Sequence, residues 1–175
     1  MQQSKLSLWQ LLDQDGERWL LLVLYSLIVF TVGIEVFRRF VLSYSSIWGE
    51  EVARYAFVYL AWIGASAAVK ERAHIRIDVL QNFLPRRGQL TLYIIGDLVT
   101  LFVAVLAVYF SFETFQVSLK FGSVTHGLGI SQAWFLAAVP IGFSMVIFRL
   151  LQSLHRDFGM WNTNEPLYTG KKLFD

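Results

Sequence analysis

The residues best suited to chemistry in this chain are charged side chains at the edges of long apolar segments. Glu50, Glu51 and Arg54 come just before residues 55–69, which carry no formal charge. On a helix, the spacings of three and four residues let either acid reach the guanidinium. Arginine cannot lose its proton here, and an ionised group within a membrane span needs a partner. We therefore predict a buried ion-paired cluster around Arg54 that holds this segment to the first apolar segment or to a partner chain.

Two further acids interrupt apolar segments. Glu35 stands just before Arg38 and Arg39, and Asp97 follows a basic connection. Both lie near the end of their segment and not at its middle, which favours structural pairing over a proton or ion path. Direct contact of these acids with a transported solute remains the alternative.

The histidines and the motif content do not indicate an enzyme. A membrane haem site needs histidines deep within facing helices, whereas His74, His126 and His155 fall in connections or in the tail. No HExxH-type spacing and no glycine-rich phosphate loop occurs in the sequence. The absence of cysteine excludes disulfides. We predict a protein that is not an enzyme and that holds no cofactor or metal of its own.

The elements that must position these residues are membrane helices. The chain is 55% hydrophobic and 16% charged, against about 25% charged residues in a soluble domain. A spanning helix needs about 20 mostly apolar residues, and backbone groups in lipid must be satisfied within the segment. We predict an all-α integral membrane protein, a single membrane domain over residues 1–175 with four transmembrane helices, at about 19–37, 48–69, 90–112 and 132–151.

The basic residues predict the orientation of these helices. Of the 15 lysines and arginines, 11 fall in the N-terminal segment, the second connection and the C-terminal tail. Because basic residues collect on the cytoplasmic side, both termini are predicted to be cytoplasmic. Residues 1–18 are predicted to be an interfacial segment without a cleavable signal peptide, residues 77–84 a short interfacial amphipathic helix, and residues 156–175 a cytoplasmic tail. The interleaving of basic residues with apolar runs argues against nucleic-acid binding.

The segments also carry packing signals but no transport signature of their own. Residues 64–68, Gly-Ala-Ser-Ala-Ala, offer a small-residue patch for close helix packing. Pro140 predicts a kink or a close neighbour in the fourth helix. Transporter cores often show internal repeats and broken helices near the midplane, and the sequence shows neither. The residues therefore favour a subunit that works with a partner.

Two stretches of the sequence resemble parts of a known family. The first is WGEEVARYAFVYLAWIGASAAVKERAHIRID, and the second is HGLGISQAWFLAAVPIGFSMVIFRLL. The residues that carry the first resemblance are Trp48, Glu50, Glu51, Arg54, Trp62, Gly64, Ala65, His74, Ile75, Ile77 and Asp78. Those that carry the second are Leu128, Ile130, Trp134, Pro140, Ile141, Gly142 and Phe143. With both stretches in this order, the chain resembles the small membrane subunit (DctQ type) of tripartite ATP-independent periplasmic (TRAP) transporters.

The resemblance implies a place in a three-part uptake system. Small subunits of this kind pair with a large membrane subunit, which holds the substrate and sodium sites, and a periplasmic binding protein delivers an organic acid such as sialic acid or a C4-dicarboxylate. The chain would then be a multi-pass protein of the bacterial inner membrane, in contact with lipids, that supports the large subunit as a scaffold. The candidate structural or partner-contact residues are Glu35, Trp48, Glu50, Glu51, Arg54, Trp62, Gly64, His74, Asp78, Asp97 and Pro140.

Two other functions remain open from the residues alone. A self-sufficient small four-helix exporter would use an acid in helix one, for which Glu35 is the candidate. An electron-transfer membrane anchor would need ligands for a redox group, which the histidine positions disfavour.

Overall fold

A computed structural model describes the backbone of residues 8–71 and 85–161, with side chains from residue 16 onward in those ranges. These residues form four helices, each long and apolar enough to cross a membrane: α1 (Leu8–Val41), α2 (Ile47–Lys70), α3 (Arg86–Phe121) and α4 (Ala133–Gly159). The predicted fold class, an all-α protein with four transmembrane helices, is confirmed.

The helices are longer than the predicted spans. At 1.5 Å per residue, the 34 residues of α1 and the 36 residues of α3 extend about 50 Å, against a hydrocarbon core of about 30 Å. The predicted spans are therefore the apolar middles of these helices. The predicted N-terminal surface segment continues directly into α1 from Leu8. The predicted interfacial helix at 77–84 lies outside the described residues.

The ends of α1 and α3 use left-handed residues. Ser43 follows α1 with φ 51°, and the amide of Tyr44 donates to the carbonyl of Arg38 at 3.2 Å. This bond reaches six residues back along the chain, and the Arg38 carbonyl also accepts the Leu42 amide at 3.0 Å. Gly122 follows α3 with φ 60°. Both helices therefore stop within two residues of a backbone conformation that cannot continue them.

The described residues fall into two compact units. The first, here called the junction unit, comprises the described residues of Met1–Gly64 together with Phe115–Ala138. It contains α1, the start of α2, the end of α3, the connection from residue 122 to 132 and the start of α4. The second, here called the core unit, comprises the described residues of Ala65–Thr114 and Val139–Asp175.

Apolar packing organises the core unit. Four buried side chains from three helices form its centre: Val69, Ala104, Val146 and Leu150. Leu101, Phe143 and Ile147 pack around them. Ala104 and Leu150 are each only 1% exposed, so α3 and α4 approach closely where a small residue faces a large one.

One buried polar contact accompanies this core. The Ser153 hydroxyl on α4 donates to the Asp97 carboxylate on α3 at 2.7 Å. Both side chains are buried, at 5% and 8% exposure. A buried carboxyl group needs such a donor, because an unmade hydrogen bond in lipid-like surroundings is costly.

Candidate functional site at the start of the second helix

The carboxylate of Glu35, on α1, binds the residue that precedes α2. The backbone amide of Ser46 donates to Glu35 Oε2 at 3.2 Å, and the Ser46 hydroxyl donates to Oε1. Arg38 completes this cluster, since its Nη1 donates to Glu35 Oε1 at 3.3 Å and to the Ser46 hydroxyl at 3.2 Å. Ser46 is buried. The acid of α1 therefore fixes the point at which α2 begins.

The Arg38 guanidinium also lies over two aromatic rings. Its Cζ is 4.7 Å from the centroid of Tyr44 and 5.6 Å from that of Trp48. Both distances are within the range of cation–π attraction. Trp48, singled out from the sequence, thus contributes to the same cluster as Glu35.

Gly49 lets Glu35 approach α2. A Cβ at this position would lie 2.5 Å from Glu35 Oε1 and 2.8 Å from its Cγ. Carbon contacts this short do not occur without a shift of the neighbour. The glycine is therefore needed for the carboxylate to reach Ser46.

Glu51 holds the connection between α3 and α4 against α2. Its carboxylate accepts the backbone amides of Gly127 at 3.0 Å and of Leu128 at 2.9 Å. Gly127 lies against the main chain of Ile47 and Trp48, where a Cβ would come within 3.0 Å. Hydrogen bonds from two main-chain donors to one carboxylate are charge-assisted and geometrically specific.

Aromatic contacts continue this attachment along α2 and α4. The rings of Tyr55 and Phe135 lie 5.1 Å apart at 32°. One turn further, the Tyr59 hydroxyl donates to the carbonyl of Trp134 at 2.7 Å. The start of α2 is thus bound to α1, to the 122–132 connection and to the start of α4.

The Glu50–Arg54 pair lies on another face of α2. Arg54 Nη2 and Glu50 Oε1 are 3.2 Å apart, as the i, i+4 spacing predicts, but the side chains are 60% and 76% exposed. The expectation that a buried Arg54 holds α2 to α1 is therefore wrong for the chain by itself. Glu35 joins α1 to the start of α2, and Glu51 joins α2 to the 122–132 connection, because each carboxylate turns toward main-chain donors of a neighbouring element.

The other residues singled out from the sequence are more dispersed. Gly64 lies near α1. A Cβ added at this position would lie 3.8 Å from Leu21 Cδ2, an ordinary van der Waals distance. Pro140 lies inside α4, and its carbonyl accepts the Ser144 hydroxyl at 2.6 Å. Trp62 is half-buried on α2. Asp97 belongs to the core unit, and His74 and Asp78 lie outside the described residues.

Sequence reasoning missed three residues of this site: Ser46, Gly49 and Gly127. Gly49 and Gly127 stand within the two stretches that carry the family resemblance. A glycine beside an acidic pair is a signal for close backbone approach, and it could have marked Gly49. Nothing in the sequence links Glu51 to residues 76 and 77 positions later.

The structure has four helices long and apolar enough to cross a membrane, and three of their acids, Glu35, Glu51 and Asp97, bind partners within the chain. Residues 28–159 match the family described as tripartite ATP-independent periplasmic transporters, DctQ component. The chain belongs to this family, which comprises transporter permease subunits and not enzymes.

Curated relatives agree with this assignment. The chain is 28% identical over 116 residues to a sialic acid TRAP transporter small permease protein, SiaQ, of Vibrio cholerae, covering 66% of each chain. It is 32% identical over 129 residues to a putative TRAP transporter small permease protein of Haemophilus influenzae, covering 70% of this chain and 80% of the relative. It is 26% identical over 149 residues to an isethionate TRAP transporter permease protein, DctMQ, of Oleidesulfovibrio alaskensis. This match covers 82% of this chain but only 24% of DctMQ. The chain therefore spans about a quarter of the length of DctMQ and just under two thirds of the length of the Vibrio protein.

Proposed function

We propose that this chain is the small permease subunit of a TRAP transporter that imports an organic acid across the bacterial inner membrane. In this proposal a large membrane subunit carries the solute and the coupling sodium ions, and a periplasmic binding protein delivers the solute. Support comes from membership of the DctQ component family and from relatives named for sialic acid and isethionate. Both of these solutes are organic acids. In this proposal, the solute of this system is an organic acid of the sialic acid or C4-dicarboxylate type.

The role of the chain itself is to be a rigid scaffold for the large subunit. The observation that supports this role is the engagement of three acids on its helices. Glu35 binds Ser46, Glu51 binds two backbone amides, and Asp97 accepts the Ser153 hydroxyl. Acids held in this way stabilise helix positions, whereas an acid that couples ion flow must exchange partners during transport.

Reconstitution tests this proposal directly. Proteoliposomes are prepared with the chain alone, with the cognate large subunit alone, and with both, each in the presence of the binding protein and a sodium gradient. We expect solute uptake only when both subunits are present. Uptake by the chain alone would support the self-sufficient exporter. Full uptake by the large subunit without the chain would contradict the scaffold role.

In the proposed orientation both termini are cytoplasmic. The reason is that 11 of the 15 basic residues fall in the N-terminal segment, the second connection and the C-terminal tail. Because the chain has no cysteine, single cysteines give an unambiguous test. A cysteine at Ser123 should react with a membrane-impermeant thiol reagent applied from outside intact cells, and a cysteine at Gln89 should not. The reverse pattern would overturn this orientation.

A further inference from the structure

One face of α2 stays exposed within the junction unit. In the described stretch 47–64, residues spaced by three and four positions form a single exposed stripe: Ile47, Glu50, Arg54, Phe57 and Ala61. Trp48 is the one other exposed residue of that stretch. The rest of this part of α2 is buried or half-buried, so the stripe is its free surface. We call these five residues the α2 stripe.

The α2 stripe differs chemically from the exposed surface of α1. Between residues 19 and 37, every exposed residue of α1 lacks a formal charge, and the one acid of this stretch, Glu35, is half-buried in the junction. The α2 stripe instead exposes the Glu50–Arg54 pair beside Phe57, which is 61% exposed. Hydrocarbon accepts the α1 surface readily but is a poor solvent for an ion pair.

The pair also has unused hydrogen-bonding capacity. An arginine carries five N–H donors, and a carboxylate accepts at two oxygens. In the pair, one nitrogen of Arg54 meets one oxygen of Glu50. A protein surface that offers an acceptor near Arg54 and a donor near Glu50 would fit this arrangement. Ala61, two turns away from Arg54, is small enough to admit a close helix there.

The size of one relative indicates which protein covers the α2 stripe. The DctMQ permease of Oleidesulfovibrio matches 82% of this chain within 24% of its own length, so a segment similar to this chain is part of a much larger permease polypeptide. On the basis of the proposed function, we propose that the α2 stripe is the surface on which the large permease subunit docks, with a polar side-chain pair of that subunit facing Glu50 and Arg54. The exposed surface of α1 between residues 19 and 37 faces lipid.

Photo-crosslinking in native membranes tests the location of this surface. The full chain is co-expressed with its cognate large subunit and carries a benzophenone amino acid at Phe57 or, as the matched control, at Phe30 of α1, which is 69% exposed. We expect a crosslink to the large subunit from position 57 and none from position 30. Crosslinking from position 30 but not from position 57 would overturn the proposal while leaving the proposed function intact. A parent chain that fails to co-purify with the large subunit would contradict both.

A charge exchange tests whether the partner recognises the pair. The double variant Glu50→Arg with Arg54→Glu keeps an ion pair at i, i+4 but reverses its order along α2. If the pair serves only this chain, the large subunit should co-purify as with the parent, and that result would overturn the proposal. We expect retention of the large subunit to fall at least about tenfold, because donors would then face donors and acceptors would face acceptors across the interface. An unchanged melting temperature of the isolated variant would assign this loss to docking.

Discussion

In the junction unit, carboxylates from two helices accept main-chain amides, whereas in the core unit apolar side chains pack around Ala104 and Leu150. The first arrangement depends on backbone geometry, since Gly49 and Gly127 allow the close approaches that the carboxylates need. The second depends on side-chain volume. One chain therefore uses two kinds of packing, and each kind predicts a different response to substitution.

The largest effect is expected from Glu51→Ala. This change removes the acceptor of the Gly127 and Leu128 amides together and releases the 122–132 connection from α2. The melting temperature of the purified subunit in detergent should fall further than for any variant below. Glu51→Gln keeps one carbonyl oxygen, so its melting temperature should lie between those of the parent and the alanine variant. The control is Glu50→Ala, because this neighbouring acid is exposed; an equal fall there would contradict the assigned role of Glu51.

Leu150→Ala should give the next largest effect, in the core unit. Removal of a buried leucine costs about 2–5 kcal/mol in soluble proteins. In a membrane the value should approach about 2 kcal/mol, because lipid is as apolar as the protein interior and only packing is lost. The expected fall in melting temperature is about 4–8 °C. The neighbouring Leu151 is 52% exposed, so Leu151→Ala should leave the melting temperature nearly unchanged. Equal losses would show that packing at Leu150 does not stabilise the unit.

Gly49→Ala should destabilise the junction unit by about 1–2 kcal/mol, within the usual range for overpacking. The new Cβ meets the end of the Glu35 side chain, which can withdraw, but withdrawal breaks its bonds to Ser46. Thermal unfolding of Gly49→Ala and of Gly33→Ala provides the comparison. A Cβ at Gly33 would meet no other part of the chain within 4 Å beyond the adjacent helix backbone. Alanine is also more favourable than glycine in a helix interior, so Gly33→Ala should not destabilise the protein. A stable Gly49→Ala variant would show that Glu35 does not need this glycine.

Ser153→Ala should have the smallest effect. Hydrogen bonds between helices in membrane bundles contribute about 0.6 kcal/mol on average, which corresponds to a fall of about 1–2 °C. The control is Ser144→Ala, since Ser144 is exposed and bonds only to its own helix in the described contacts. A loss at Ser153 as large as that at Leu150 would show that polar contact, not volume, dominates the core unit.

The helices were predictable from sequence because lipid imposes a long apolar run on each span. Their ends were less predictable. The span predicted at 90–112 belongs to a helix that continues to Phe121, because a helix leaving the hydrocarbon no longer needs apolar residues. Glu113 and Lys120 therefore interrupt the apolar run without ending the helix.

The candidate site was predictable only where its partners are close in sequence. The Glu35–Arg38 and Glu50–Arg54 pairs follow from helical spacing, and both are present. The contact of Glu51 with the 122–132 connection depends on how α2 and α4 come together, which spacing does not encode. The depth of Arg54 along α2 predicts burial, but the side chain points to an exposed face of the helix.

The Glu51 carboxylate binds main-chain amides of the 122–132 connection. Within this connection, Thr125 donates its amide to the carbonyl of Ile130 at 2.9 Å, and Gln132 donates to Ser123 at 2.8 Å. The side chain of His126 is exposed between these anchored positions. A spectroscopic label at residue 126 would therefore sit on a fixed backbone, and changes in its distance to a second label on another subunit would report the motion of that subunit.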